Sequence, residues 1–212
     1  MQIIQLGQQP YHPILEKMQR FTLQRQAETE DQLWLLEHDP VYTLGQAGKR
    51  EHILNPKHIP IIQSDRGGQV TYHGPGQLIA YVLMNLQRKR LGVRTLVTQL
   101  EEVLITLLQT FQIEAHRQCK APGVYVSDKK IASIGLRVKA NCTYHGIALN
   151  VNMDLEPFDG IHPCGYSQLK MTQLREYDSS ITMTTVMERF IQLFCDTFYS
   201  QDQNGLLNAY AC

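Results

Sequence analysis

Two long stretches of the chain carry apolar residues at the spacing of an amphipathic helix, i, i+3, i+4 and i+7. They cover residues 93–111 and 186–198. A weaker pattern of the same kind covers residues 11–26, where Ile14, Met18, Phe21 and Leu23 are apolar. The pattern predicts three helices. Cys195 lies on the apolar stripe of the last one, where we expect a small core residue rather than a nucleophile.

Shorter apolar runs, typical of β-strands, fill most of the remaining chain. They cover residues 3–6, 33–36, 41–44, 59–62, 78–83, 124–126, 131–138 and 146–152. Asp39-Pro40 predicts a turn that joins 33–36 to 41–44, and Ser127-Asp128-Lys129 predicts a hairpin turn. Strands in the middle with helices between them favour an α/β (α+β) fold, with a mixed or antiparallel sheet flanked by helices.

Length and charge limit the possible classes of protein. A chain of 212 residues is long enough for one substantial core, so we predict a single domain over 1–212. Twenty basic and twenty acidic residues give a net charge of zero, which offers no general attraction to nucleic acid or to a membrane surface. The short basic stretch Arg88-Lys89-Arg90 is interpreted as a solvated turn before a helix, although an acidic protein partner could use it.

The compartment follows from targeting signals and cysteines. The first residues lack the pattern of a signal peptide, and no apolar run approaches the ~20 residues of a membrane-spanning helix. The five cysteines form no CxxC pair and are odd in number, which indicates reduced thiols and a cytoplasmic protein. They are Cys119, Cys142, Cys164, Cys195 and Cys212.

The segment RGGQVTYHGPGQ, residues 66–77, is the strongest candidate for a binding site. It has four glycines and a proline among polar side chains, and it directly precedes the buried run 78–83. Glycine permits a ligand to approach the backbone closely, and we expect a shaped loop rather than a strand at this glycine density. A simple Gly-rich hairpin is the plainer alternative.

Cys164 is the best candidate for a nucleophile. It lies between Pro163 and Gly165, outside any periodic element, so its sulfur is expected on a rigid turn. The plainer alternative is a small buried thiol. Cys119 and Cys142 are in strand-like or turn contexts, and Cys212 is at the end of the chain.

A nucleophilic cysteine needs a neighbouring cation, because only about 3% of an ordinary thiol is ionised at pH 7. Lys130 is favoured, because it opens the run KIASIGLRV, in which small Ser133 and Gly135 leave room for a ligand. On residue type alone the choice stays open among Arg66, His73, Lys129, Lys130, His145, His162 and Lys170.

Several other chemistries lack their motifs. The histidines are scattered, without HExxH or a zinc-type Cys/His cluster, so no metal is expected. There is no GxxxxGK[ST] phosphate loop and no GxSxG nucleophile elbow. A Cys-His hydrolase with His73 or His145 as its base stays open.

Four motifs in order, RGGQVTYHGPGQL, KIASIGLRV, HGIALNV and IHPCG, resemble those of the lipoyl(octanoyl) transferase family. The likeness begins at QLWLLEHDPVYTLGQAGK and covers nearly the whole chain. It implies a fold similar to the biotin protein ligase and lipoate ligase catalytic module. It implies an acyltransferase that moves an octanoyl group from acyl carrier protein to a lysine of lipoyl domains, in 2-oxoacid dehydrogenase complexes and in glycine cleavage H protein.

The resemblance also assigns roles to residues. It makes Cys164 the acyl-thioester nucleophile and Lys130 the residue that lowers the pKa of its thiol. The implied substrate-binding residues are Arg66, Gly67, Gly68, Gln69, Val70, Thr71, Tyr72, His73, Ser133, Ile134, Gly135, Gly146, Ile147 and Ala148. No cofactor is implied, because the incoming acyl group is already a thioester.

The sequence leaves three alternative functions open. An ATP-dependent lipoate ligase has the same fold, but it needs no cysteine nucleophile. A thioesterase of the Cys-His type would release octanoate without an acceptor. A non-catalytic module that binds carrier protein would form no covalent acyl-enzyme.

Overall fold

A computed structural model describes residues 1–118 and 121–200 of the protein. The predicted contexts of Cys119 and Cys212 therefore lie outside the described residues. The described part contains a seven-stranded sheet, a three-stranded sheet and four α-helices. The fold is mixed α/β, as predicted from the order of the apolar runs.

The larger sheet has the strand order β1-β2-β6-β10-β9-β8-β7. Its β1–β2 pair is parallel and its other pairs are antiparallel. The strands are β1 (Gln2–Gln9), β2 (Gln32–His38), β6 (Gln77–Leu83), β7 (His116–Arg117), β8 (Gly123–Val126), β9 (Lys129–Lys139) and β10 (Cys142–Asn150). The predicted hairpin is confirmed as the β8–β9 pair.

The smaller sheet has the order β4-β3-β5, with β3 (Val41–Leu44), β4 (Ile61–Gln63) and β5 (Val70–His73). The strands β2 and β3, which we expected to be joined across a turn, therefore belong to different sheets. Their connection, which contains Asp39 and Pro40, carries the chain from one sheet to the other.

The helices cover the two faces of the larger sheet. They are α1 (Tyr11–Gln24), α2 (Leu86–Lys89), α3 (Val93–Gln109) and α4 (Met183–Tyr199). Helices α3 and α4 pack with Ile147, Leu149 and Val151, the face predicted from the alternation in β10. Helix α1 packs on the opposite face with Trp34, Tyr81 and Ala148.

Two details of the apolar stripes were wrong. Leu23 is exposed near the end of α1. Cys195 is half-buried, whereas Val186, Phe190 and Phe194 are buried. Those three residues are spaced by four and share one face of the helix, and the next position, Cys195, is turned about 100° away from them. Burial still raises the pKa of its thiol.

The Gly-rich segment is not the continuous loop that we predicted, because Val70–His73 forms β5. Its four glycines lie on either side of this strand, at residues 67–68 and 74–76. The residues between them include Val70, Thr71 and Tyr72, types that favour strands. The glycines therefore shape the two connections, and the strand pairs with β3.

Candidate active site

Cys164 lies at the centre of a single 3-10 turn, Pro163–Gly165, in a left-handed backbone conformation with φ = 55° and ψ = 15°. A non-glycine residue is uncommon in this region and marks a constrained site. Two backbone hydrogen bonds close the turn, from Gly165 to His162 and from Tyr166 to Pro163. The half-buried thiol is thus presented on a fixed turn, as its Pro and Gly neighbours predicted.

Lys130 places its side-chain amine next to this thiol. Its Nζ lies 3.2 Å from Cys164 Sγ and donates a 2.9 Å hydrogen bond to the carbonyl oxygen of Pro122. The side chain is almost fully buried, and it passes over Gly123, where a Cβ would come within 2.6 Å of Lys130 Cε. Glycine at 123 therefore makes room for the lysine to reach the sulfur.

The two residues open into a cavity of about 340 Å³ with a mainly apolar lining. This volume is at the lower end of the range for small-molecule sites. Cys164, Lys130 and every predicted substrate-binding residue except Tyr72 line it. Tyr72 instead packs against Tyr42 and Phe158 in a separate apolar cluster, so its side chain does not face the cavity.

On the side formed by the large sheet, the cavity is lined by small residues of the neighbouring strands β9 and β10. We call this surface the floor, and the groove between its small residues the trough. Ser133 pairs with Ala148, and Gly135 pairs with Gly146, directly across β9 and β10. Small side chains on adjacent strands leave a channel above the sheet that larger residues would fill.

Residues 66–69 line the cavity on the side opposite the sheet, and we call them the roof. Arg66 holds this segment in place. Its buried guanidinium donates to the side-chain and backbone oxygens of Thr43 and to the carbonyls of Gly67 and Gln69. The Gly67 N–H bonds to Leu136 on β9, which fastens the roof to the sheet. Burial lowers the pKa of Arg66, and attraction to the anionic forms of Tyr11 and Cys164 opposes that effect.

The end of the cavity beyond Gly146 is polar. His145 lies there with Nε2 2.8 Å from Asp65 Oδ1, and Tyr144 donates to the same carboxylate. Burial works to raise the pKa of Asp65, but the hydrogen bonds from His145 and Tyr144 outweigh it and hold that pKa below its usual value. Burial lowers the pKa of His145 and His73, so both imidazoles are neutral near pH 7.

Sequence reasoning missed several cavity residues because they are brought in by tertiary packing. They are Tyr11, Ile79, Tyr81, Val97, Ala121, Pro122, Leu136 and Tyr166. Ile79 and Tyr81 lie in the buried run 78–83. They are two residues apart, so strand alternation could have placed both side chains on the same face of the sheet. Tyr11 is the first residue of α1 and Val97 is the fifth residue of α3, and nothing local indicates a cavity at either position.

Residues 1–118 and 121–200 contain no group of His, Cys, Asp or Glu with the arrangement of a metal site. None of the helices described there has the length and apolar character to cross a membrane.

Similar proteins match almost the whole chain. An octanoyltransferase of Legionella pneumophila (strain Lens) is 60% identical over 193 residues, which are 91% of this chain and 97% of the relative. An octanoyltransferase of Klebsiella pneumoniae (strain 342) is 56% identical over 89% of this chain and 88% of the relative.

Solved structures with low sequence identity share the fold. A lipoate-protein ligase A bound with ATP superposes with a TM-score of 0.76 at 14% identity, covering 92% of this chain and 84% of that one. A biotin protein ligase from Aquifex aeolicus has a TM-score of 0.55 at 14% identity, covering 94% of this chain and 70% of that one. The predicted likeness to both ligase modules is confirmed.

Residues 11–195 match the family described as the lipoyl protein ligase A/B catalytic domain. This match covers most of the chain, and its close relatives are acyltransferases. The protein belongs to the lipoyl protein ligase A/B catalytic domain family and is, like its named relatives, an acyltransferase.

Proposed function

We propose that the protein transfers an octanoyl group from acyl carrier protein to a lysine of a lipoyl domain, through a thioester on Cys164. The observation that carries the proposal is the 3.2 Å contact between Lys130 Nζ and Cys164 Sγ beside a cavity with a mainly apolar lining. Relatives named octanoyltransferase at 56–60% identity support the octanoyl group as the cargo.

In the first half-reaction the thiolate of Cys164 attacks the thioester carbonyl of the octanoyl carrier. A new bond forms between Sγ and the acyl carbon, and the bond from that carbon to the carrier's sulfur breaks. The carrier leaves as a thiolate and takes up a proton to become a free thiol. Lys130 favours this step because its ammonium stabilises the negative charge on the attacking sulfur.

In the second half-reaction the amine of the acceptor lysine attacks the octanoyl thioester on Cys164. A C–N bond forms, the C–S bond breaks, and the acceptor nitrogen must lose a proton. Free lysine has a pKa near 10.4, so only about one molecule in 2,500 is neutral at pH 7 and a base is needed. Acylation of Cys164 removes the anion that kept Lys130 charged, so its ammonium can give its proton to the departing carrier thiolate. The neutral amine of Lys130 can then accept the proton from the acceptor nitrogen, and Cys164 leaves as the thiolate beside the re-formed ammonium.

The partners follow from this reaction. The donor is acyl carrier protein, and the acceptors are lipoyl domains of 2-oxoacid dehydrogenase complexes and glycine cleavage H protein. A solved lipoate protein ligase described with its E2 lipoyl domain, from Thermoplasma acidophilum, has a TM-score of 0.72 to this chain at 15% identity. We also propose a cytoplasmic location, where a thiol such as Cys164 stays reduced.

An ATP-dependent lipoate ligase is the second candidate, because the superposed ligase A structure contains ATP. The two functions differ in the fate of Cys164. A transferase consumes a thioester that is already activated and needs no nucleotide, whereas a ligase must first join its acid to a phosphate. Only the transferase function uses the contact between Cys164 and Lys130.

Intact mass spectrometry tests the proposal directly. The protein is mixed with octanoyl carrier protein without nucleotide, and we expect a mass increase of one octanoyl group that hydroxylamine removes. Peptide mapping should locate the group on Cys164. Cys164→Ser should form no hydroxylamine-sensitive adduct, and Cys142→Ser, a change at a buried thiol at the start of β10, should react like the unmodified protein. Transfer that requires ATP, or a label on Cys142, would overturn the proposal.

A further inference from the structure

A buried chain of six hydrogen bonds joins the roof of the cavity to the backbone of Lys130. Every link has a donor–acceptor distance of 3.2 Å or less, and every member is at most 9% exposed. In order, its members are Arg66, Thr43, His73, Gln77, Asn150, Thr172 and Lys130.

All six bonds point in one direction. A guanidinium only donates, so Arg66 donates to Thr43 Oγ1 at 3.0 Å and the threonine hydrogen is free for His73 Nε2 at 3.2 Å. The other ring nitrogen, Nδ1, must then carry the proton and donate to Gln77 Oε1 at 2.8 Å. This neutral tautomer agrees with the lowered pKa of His73, which results from burial and from the nearby His38 and Arg66.

The chain continues through two amides. Gln77 Nε2 donates to Asn150 Oδ1 at 2.9 Å, and Asn150 Nδ2 donates to the carbonyl oxygen of Thr172 at 2.9 Å. Gln77 and Asn150 are directly opposite each other across β6 and β10, so their side chains meet on the same face. Neither residue lines the cavity.

The chain ends where the Cys164 segment is attached to Lys130. The Thr172 N–H donates to the Lys130 carbonyl at 3.0 Å, and the Lys130 N–H donates to the Lys170 carbonyl at 2.8 Å. These two bonds form a parallel bridge between Lys130 and Met171, at the end of the segment that begins with the Cys164 turn. The position of Thr172 therefore affects both partners of the Lys130–Cys164 contact.

We propose that Gln77 and Asn150 are positioning residues that hold Lys130 at the sulfur of Cys164. They do not touch the reacting atoms. They fix the Thr172 carbonyl, and through it the backbone on both sides of the lysine–cysteine contact. The inference rests on the proposed function for the role of that contact. Aligned hydrogen bonds in a buried, low-dielectric region polarise one another, and an unpaired amide there is costly, so removal of one member disturbs its neighbours.

Alkylation of Cys164 by iodoacetamide, measured against pH, tests the proposal without any acyl donor. Asn150→Leu keeps most of the volume but removes both hydrogen bonds. It should move the midpoint of alkylation about one unit to higher pH, which is about a tenfold loss in rate at pH values well below both midpoints. Gln77→Met serves as a second variant if Asn150→Leu does not fold, and the same shift is expected.

Thr143→Val is the matched control. Thr143 is a fully buried polar residue of the same strand, β10, and it bonds to the backbone of Val82 and Met84 instead of to the chain of six bonds. It should lower stability in a urea titration and leave the alkylation midpoint unchanged. If Asn150→Leu behaves in the same way, the two amides are only structural and the proposal is wrong.

A double variant shows whether the effect passes through the lysine. In a Lys130→Met background, Asn150→Leu should cause no further shift of the alkylation midpoint, because the residue it positions is absent. A full additional shift would overturn the proposal. Failure of the unmodified protein to form an octanoyl adduct would contradict the proposed function instead, since iodoacetamide requires no carrier protein.

Discussion

The Nζ of Lys130 donates a 2.9 Å hydrogen bond to the carbonyl oxygen of Pro122, in addition to its 3.2 Å contact with Cys164. The carbonyl is neutral and does not change during the reaction. In the proposed reaction it would therefore hold the amine in place in both states of the sulfur, as thiolate and as thioester. One lysine would in this way serve both proposed half-reactions from one position.

Lys130→Met removes the charge and keeps much of the side-chain length, so both half-reactions should slow. The midpoint of Cys164 alkylation should move to higher pH, because the thiolate loses its neighbouring ammonium. Transfer of octanoate from pre-formed acyl-enzyme to a lipoyl domain should also slow at neutral pH. Stopped-flow alkylation and single-turnover transfer measure the two steps separately.

Lys129→Met is the matched control, since Lys129 is partly exposed and pairs loosely with Glu176 at 3.9 Å. It should change neither rate. An altered alkylation profile with normal amine transfer would limit Lys130 to the first step. If the Lys130→Met profile is unchanged, the cation is another group, and Arg66 is the first candidate because it interacts electrostatically with Cys164.

Gly68 should tolerate substitution less well than Gly67. Gly68 has φ = 90°, which side chains rarely adopt, and its carbonyl accepts a hydrogen bond from Ala47. Gly68→Ala should therefore cost about 1–2 kcal/mol of unfolding free energy and distort the roof of the cavity. At Gly67, where φ is not in this range, an added Cβ meets the Leu136 carbonyl oxygen at 3.2 Å.

Urea unfolding and the rate of octanoyl adduct formation compare the two alanine variants. We expect a larger loss of both stability and rate for Gly68→Ala. Equal losses of stability and rate in the two variants would show that the positive φ at Gly68 does not require glycine.

Local patterns predicted the three long helices and most of the strands, because amphipathic spacing is a property of neighbouring residues. They did not predict β5, β7 or the short helix α2. They also selected Cys164, whose Pro and Gly neighbours do hold it on a constrained turn. The sequence did not show which side of β5 each side chain faces. Tyr72 was grouped with the cavity residues, but it packs against Tyr42 and Phe158.

Local sequence patterns could not predict contacts between residues that are far apart in the chain. Lys130 and Cys164 are 34 positions apart, and on residue type alone Lys130 was one of seven candidate cations. The chain of bonds from Thr43 to Thr172 joins five separate segments. Its members are ordinary polar residues in the sequence, and only the register of the strands brings them together.

Filling the trough should shorten the acyl chain that the cavity accepts. Ala148 is a lining residue opposite Ser133, and it packs against the buried core under α1. Ala148→Leu adds three carbon atoms to this floor, at an overpacking cost of about 1–3 kcal/mol. Adduct formation should become slower with octanoyl than with butanoyl carrier protein, measured by intact mass. A parallel loss with both donors would indicate general damage instead of a shorter channel.

Asp31 should be important for stability, although it is remote from the cavity. Its buried carboxylate accepts from Arg25 and Arg88 at 2.6 Å each and from Tyr199 at 2.9 Å. Arg88 was interpreted as part of a solvated turn, so this ion pair corrects that interpretation. Breaking a buried pair leaves uncompensated charge, so Asp31→Ala should cost about 3–5 kcal/mol in urea unfolding.

Cys164 alkylation should be nearly normal in this variant at temperatures where it is folded. Glu30→Ala is a suitable control, because the exposed Glu30 is only 4.0 Å from the N-terminal amine. A surface pair of this kind contributes about 0–1 kcal/mol. A similar small loss for Asp31→Ala would contradict the importance of the buried cluster.

His38 should make the protein less stable in mild acid. Burial is the main reason why the pKa of His38 is lowered to about 4, and repulsion from His145 lowers it further. The hydrogen bond to the Gln9 carbonyl and attraction to Asp39 partly offset this effect. In the unfolded chain the pKa is near 6.5. Between these two values the unfolded state binds the proton and the folded state does not, so stability falls as the pH falls from about 6.5 to about 4 and levels off below that. The difference corresponds to about 3 kcal/mol from this one side chain.

Urea titrations at pH 7 and pH 4 measure this loss. His38→Gln preserves the hydrogen-bonding pattern, because an amide can donate to Gln9 and accept from Tyr81 as the imidazole does. Its stability should decrease less between the two pH values than that of the unmodified protein, by about 3 kcal/mol. Some decrease should remain, since burial also lowers the pKa of His73 and His145. The control is His12→Gln, a change at an exposed histidine of α1, which should keep the full decrease. If both variants keep it, His38 is protonated in the folded protein and its burial has no such cost.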